Sequence, residues 1–209
     1  MKTLLGVLFF IAGTAAGASV ALPVPWTPVP LTLQALFVFL AGAVLGPWAG
    51  GTALALYLVL GALGAPVFSG GNGGFEWLMG PTGGYLIVYP AAAFAVGLMT
   101  QSSTSTLRRD LGALLVGLVV LYAGGASQLW LLTGIAASQL LALGVLPFIA
   151  GDLLKLLAAL AMLRAWRALS PSGQAGAGLS PATLSSSSAV GGETSDLAAT
   201  APTSMEQPR

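Results

Sequence analysis

The sequence predicts an all-α membrane protein of six transmembrane helices, and three observations predict it. Of its 209 residues, 56% are hydrophobic and only 6% are charged, with a mean hydropathy of +0.91; a soluble domain carries about 25% charged residues. The apolar residues gather into long runs broken by connections rich in Pro and Gly. The basic residues Lys2, Arg108, Arg109, Arg164 and Arg167 fall at the N-terminus, after the fourth run and at the end of the sixth. With six crossings these three places share one side of the membrane. The positive-inside rule makes that side the cytoplasm, so both termini are expected there.

Taken in order, the first run spans 4–22. It follows Lys2 and ends in small residues, which suits either a retained helix or a secretory signal peptide. Gly13, Gly17 and Ala21 recur every four residues with Ala12 and Ala16 beside them, a stripe that lets another helix approach closely. Residues 23–30, PVPWTPVP, carry four prolines and read as a stiff extended connection, with Trp26 suited to the membrane interface. This connection is either a plain interfacial loop or a rigid cap over a pocket. The second and third runs, 31–46 and 49–64, flank Gly46-Pro47-Trp48, a turn signal. Gln34 lies in the first turn of the second run, where its amide lines a pocket or bonds a neighbouring helix.

Residues 65–84, APVFSGGNGGFEWLMGPTGG, form the longest internal irregular stretch and hold seven glycines with Asn72, Glu76 and Trp77. A loop of this length without structure of its own is usually functional or disordered. Its aromatic content argues against a mere linker. It matches no phosphate-binding fingerprint, because no strand precedes the glycines and no Lys-Ser/Thr follows them. The fourth run, 85–100, has Pro90 as an expected kink. A polar loop, 101–110, leads to the fifth run at 111–134, and a shorter apolar stretch, 135–146, leads to the sixth at about 147–168. Two domains follow: a six-helix substrate-binding domain at 1–169, and a cytoplasmic tail at 170–209 with no aromatic residue, expected to be disordered.

In this topology the proline loop, the glycine loop and the start of the sixth run all face outward, so the ligand pocket is expected near the outer face. The chemistry sits in the sixth run. Asp152 and Lys155 are three residues apart, hence on one helix face, and each charge costs about 2.5–3.5 kcal/mol to hold at mid-bilayer. Asp152 is expected in the first helical turn, after Pro147 and Gly151, where the helix dipole favours an anion. The pair offers an acceptor for N–H groups beside a donor for a carbonyl, which a urea-like or amide-like ligand would use together. The competing reading is an ion pair that locks helices. Asn72, Gln34 and Tyr85 are the further candidates, able to donate and accept, with Tyr85 adding a flat apolar face.

Other classes recede. A net charge of +1 makes no electrostatic case for nucleic acid. The absence of Cys and His removes thiol catalysis and the usual zinc sites. No cofactor and no metal are expected. No ATP-binding motif is present, so ATP-powered transport would need another chain, for which the small-residue face of the first run is a docking surface. An ion- or proton-coupled carrier for another small vitamin-like solute, with Asp152 as the ion site, is the alternative; the short chain lacks evident inverted repeats. An intramembrane enzyme is the third class, and no second acid accompanies Asp152 in its run.

Four stretches together carry a resemblance: VPLTLQALFVFLAGAVLGPWAG at 29–50, YLVLGALGAPVFSGGNGG at 57–74, GPTGGYL at 80–86 and PFIAGDLLK at 147–155. In their order and spacing they resemble the BioY family, the biotin-binding S components of energy-coupling-factor (ECF) transporters, over about residues 20–168. The resemblance implies six helices with both ends cytoplasmic, a retained first run, and a place in the bacterial cytoplasmic membrane. It implies capture of external biotin, with an ECF transmembrane coupling protein and paired ATPase subunits driving release inward, and no enzyme activity in this chain. It also implies that Asp152, Lys155 and Asn72 hold the ureido ring, with Tyr85 in the GPTGGY motif and the carboxylate toward the mouth. The outer half has no arginine for that carboxylate, and backbone amides of the glycine loop would serve instead. Val88, Tyr89 and Ala150 depart from the residues more usual in the family.

Overall fold

The computed structural model describes residues 1–101 and 106–169, and the tail expected at 170–209 lies outside them. The described chain is an all-α membrane bundle. Helix α1 (Lys2–Ser19) leads to two short strands, β1 (Ala21–Leu22) and β2 (Leu31–Thr32), and then to α2 (Gln34–Leu45) and α3 (Pro47–Ala62). A 3-10 turn (Ser69–Gly71) and two short helices, α4 (Phe75–Leu78) and α5 (Gly83–Ile87), precede α6 (Tyr89–Thr100). Helices α7 (Leu107–Thr133), α8 (Ala137–Gly144) and α9 (Leu146–Leu169) complete it.

Length separates the helices into two kinds. Helices α1, α7 and α9 are long and apolar enough to cross a bilayer, whereas α2, α3 and α6 are apolar but run only 12 to 16 residues. At about 1.5 Å per residue the latter reach roughly 18–24 Å, short of a hydrocarbon core of about 30 Å. The six spans expected from the sequence are thus three long helices and three short ones. Large side chains left exposed, among them Leu8, Phe9, Leu131, Leu154 and Leu157, form the apolar exterior that a bilayer covers.

The short helices make the centre. Helix α2 packs against α1, α3, α6 and α9, and Val38, Phe39 and Ala41 on it are wholly buried, as are Leu54, Tyr57, Ala92 and Leu114 around it. Small residues allow the close approach: a Cβ on Gly42 would stand 2.1 Å from the Ala93 carbonyl oxygen of α6. The stripe on α1 works the same way. Gly13 and Gly17 face Phe37 of α2 and the backbone of Leu33 just before it, so that part of the expected docking face is internal packing, while Ala12 and Ala16 remain exposed.

The connections are more ordered than a linear reading suggests. β1 and β2 pair antiparallel, Ala21 with Thr32 and Leu22 with Leu31, and close the proline loop into a hairpin clip. Thr27 at its tip donates to the Leu143 carbonyl at 2.7 Å, tying it to α8. The stretch 65–84 is not structureless: it holds the 3-10 turn, α4 and the start of α5. Gly70 and Gly71 take positive φ there (72° and 76°), a conformation a side chain would strain. The side-chain amide of Gln128 on α7 donates to the carbonyls of Leu78 and Gly80 and pins the end of this stretch. The expected kink at Pro90 is a break at Val88, with Pro90 in the first turn of α6, where its missing N–H costs nothing. The polar loop ends earlier than expected, because Thr106 caps α7 by accepting from the Arg109 N–H. Arg108, Arg109 and Asp110 are therefore helical. Asp110, wholly buried, takes a two-toothed contact from Arg167 at 2.6 and 2.7 Å, which joins the start of α7 to the end of α9.

Candidate ligand site

Asp152 and Lys155 come together as the three-residue spacing demands. The Lys155 ammonium donates to Asp152 Oδ1 at 2.6 Å, and both residues are 7% exposed. One expectation fails. Helix α9 begins at Leu146, close to the start expected at about 147, and Asp152 therefore sits nearly two turns in and not in the first turn. Proline is tolerated in a first helical turn, which lets Pro147 through Gly151 join the helix. The dipole at the N-terminus falls off within one turn and is not what holds the carboxylate. A hydroxyl does part of that: Tyr122 on α7 donates to Asp152 Oδ2 at 2.8 Å. Tyr122 was absent from the candidates, and its only sequence signal is a phenol in the middle of an apolar run.

The pair lines a polar chamber of about 70 Å³ between α2, α5, α6, α7 and α9, walled also by Tyr85, Tyr89, Tyr122, Gln34, Leu121 and Phe148. Gln34, 2% exposed, is held on two sides: its amide donates to the Tyr57 hydroxyl at 2.6 Å and its carbonyl accepts from Thr32 at 2.9 Å. The Tyr57 hydroxyl in turn donates to the Val67 carbonyl, and its ring stacks on Tyr89. This relay joins α2, α3 and the glycine stretch behind the chamber. The Tyr85 hydroxyl donates to the Gly144 carbonyl, so Tyr85 offers the chamber its ring and an acceptor rather than a free donor. The ring fits because α7 carries Gly125 there; a Cβ would meet it at 2.1 Å.

Asn72 is elsewhere. It is exposed, donates to the Ser69 carbonyl at 2.7 Å, and lines a second cavity of about 540 Å³ between the proline loop and the glycine stretch. Pro30, Ser69, Trp77 and Thr82 line both cavities, which therefore adjoin. This loop chamber has the volume of a small-molecule site, and the polar chamber is well below that range. Of the five residues singled out from the sequence, Asp152, Lys155, Gln34 and Tyr85 meet around the polar chamber, and Asn72 does not.

A multi-spanning helix bundle with a buried acid–base pair in a chamber that adjoins a larger cavity defines a membrane protein that binds a small solute. The family model for the BioY family matches residues 1–172. The chain belongs to the BioY family. A probable biotin transporter BioY of Pyrococcus horikoshii is 43% identical over 152 residues, which cover 71% of this chain and 86% of that one. The biotin transporter BioY of Rhodobacter capsulatus is 40% identical over 168 residues, 73% and 85% of the two chains. That of Thermotoga maritima is 39% identical over 159 residues, 76% and 92%. The crystal structure of an S component for biotin from an ECF-type ABC transporter superposes with a TM-score of 0.75 at 28% identity, covering 81% of this chain and 92% of that one.

Proposed function

We propose that this chain is the substrate-specific component of an ATP-driven biotin uptake system, and that it binds external biotin with the Asp152–Lys155 pair. The reading rests on one observation above all: the only ion pair on the chamber wall among the described residues presents an acceptor and a donor side by side, as a cyclic urea requires. Asp152 accepts from the ureido N–H groups and Lys155 donates to the ureido oxygen. Tyr122 orients the carboxylate. Tyr85, Tyr89 and Phe148 pack the bicyclic ring, and Gln34 fixes the rear wall. Asn72 meets the ligand from the loop chamber.

The polar chamber is small for a bicyclic ligand, so binding widens it at the glycine stretch. The six-crossing topology with cytoplasmic termini, the pocket near the outer face, and the division into a domain at 1–169 and a tail at 170–209 belong to the same proposal. So does the partnership: a transmembrane coupling protein and ATPase subunits supply the energy, and Ala12 and Ala16 on the exposed side of α1 are where such a partner approaches. The test is calorimetry of the detergent-purified chain, without any ion gradient, against biotin, dethiobiotin and unrelated vitamins. Saturable binding of biotin alone among the vitamins is expected. Binding that requires a sodium or proton gradient would instead favour a coupled carrier.

A further inference from the structure

The loop chamber has a charge pattern that bears on which biotin derivatives the chain takes. Glu76 is its only charged lining residue among those described, and none is basic. Its neutral donors are Asn72, Ser69, Thr82 and the indole of Trp77, the Thr27 hydroxyl having given its proton to the Leu143 carbonyl. Trp77 stands apart. It lines both chambers, and its N–H is buried with no hydrogen-bond partner, alone in this among the side chains described. A buried donor left without a partner calls for an explanation, and one explanation is a ligand acceptor that supplies the missing bond.

Given the proposed placement of the ureido ring at Asp152 and Lys155, on which this inference rests, the side chain of the ligand must pass the residues shared by the two chambers and end in the loop chamber. Its terminal carboxylate then meets neutral donors and an acid, with no cation to form an ion pair. We infer that the chain reads the end of that side chain as a carbonyl acceptor, through Trp77 Nε1–H, and not as a charge. Derivatives with the carboxyl masked as an amide or ester are then ligands in their own right. The 540 Å³ cavity leaves room for a group beyond the amide bond, so amide conjugates of biotin fall in the same class.

The experiment is competitive binding to the purified full-length chain with biotin, its primary carboxamide, its methyl ester, and an analogue whose carboxyl is replaced by methyl. Carboxamide and ester should bind within about threefold of biotin, whereas a site reading charge would lose tenfold or more, on the order of one charge-assisted hydrogen bond. Trp77→Phe should weaken biotin and carboxamide alike, by about three- to tenfold, and leave the methyl analogue unchanged. An equal loss for the methyl analogue would make Trp77 a wall and overturn the inference. Glu76→Gln, on an exposed residue that does not test folding, should strengthen biotin about two- to threefold and leave the carboxamide alone, because only the acid feels the removed charge. Carboxamide binding tenfold below biotin, with biotin itself bound, overturns this inference and spares the biotin reading. If neither binds, both fall.

Discussion

The Tyr122 hydroxyl and the Asp152 carboxylate, 30 residues apart, meet at 2.8 Å, and the second carboxylate oxygen holds Lys155 at 2.6 Å. The acid thus lines the polar chamber already oriented by a hydroxyl from one helix and an ammonium from its own. Removing the phenol oxygen tests that orientation. We predict that Tyr122→Phe lowers biotin affinity about three- to tenfold, the worth of one hydrogen bond, with unchanged helical content by circular dichroism. Wild-type affinity in calorimetry would show that the carboxylate needs no such help.

The ion pair makes a different prediction. Asp152→Asn and Lys155→Met should each abolish measurable biotin binding, and each leaves one partner of a buried pair alone, a loss of about 3–5 kcal/mol. Combining them removes both charges, so the double variant should recover thermal stability in detergent while staying unable to bind. A double variant less stable than either single one would sink the account of this pair as a site held at some cost to the fold.

Tyr85 owes its place to the residue opposite. Gly125→Val would put side-chain atoms where the Tyr85 ring lies, displacing the ring and breaking its bond to the Gly144 carbonyl. We expect a loss of biotin affinity of about tenfold or more, and overpacking that destabilises by about 1–3 kcal/mol. Retained affinity with a lowered melting temperature would assign the ring to packing alone.

Asp110 lines neither chamber. It is wholly buried against Arg167, which also donates to the Thr100 carbonyl at 3.1 Å, so one contact gathers the ends of α6, α7 and α9. Asp110→Ala should cost about 3–5 kcal/mol and lower the melting temperature, while the folded fraction binds biotin as tightly as before. An affinity change in that fraction would mean this contact is coupled to the chamber.

Much of the architecture was legible along the chain. Hydropathy marked every apolar helix, since burial in lipid needs long apolar runs whatever their neighbours, and Gly46-Pro47 marked the turn between α2 and α3. The relative lengths were harder. A run such as 31–46 is mostly apolar, but its first residues are taken by a strand that pairs across the proline loop, and that pairing precedes the start of α2 at Gln34. Likewise the sequence around Pro147 and Gly151 read as a helix boundary, yet the first turn of α9 absorbs the proline and moves Asp152 away from the helix end.

Short-range geometry belongs to the sequence by itself: the helical period places Asp152 and Lys155 on one face in any environment, and their cost in lipid marks them as consequential. What lies across from them does not follow from any local rule. Tertiary packing alone decided that Tyr122 caps the carboxylate, that Tyr85 spends its proton on Gly144, that Gly13 and Gly17 turn inward, and that Asn72 faces the larger chamber while Trp77 stands between the two. These are meetings between helices and loops far apart in the chain, chosen by how side chains of given volume fill space, and spacing along one helix carries no record of them.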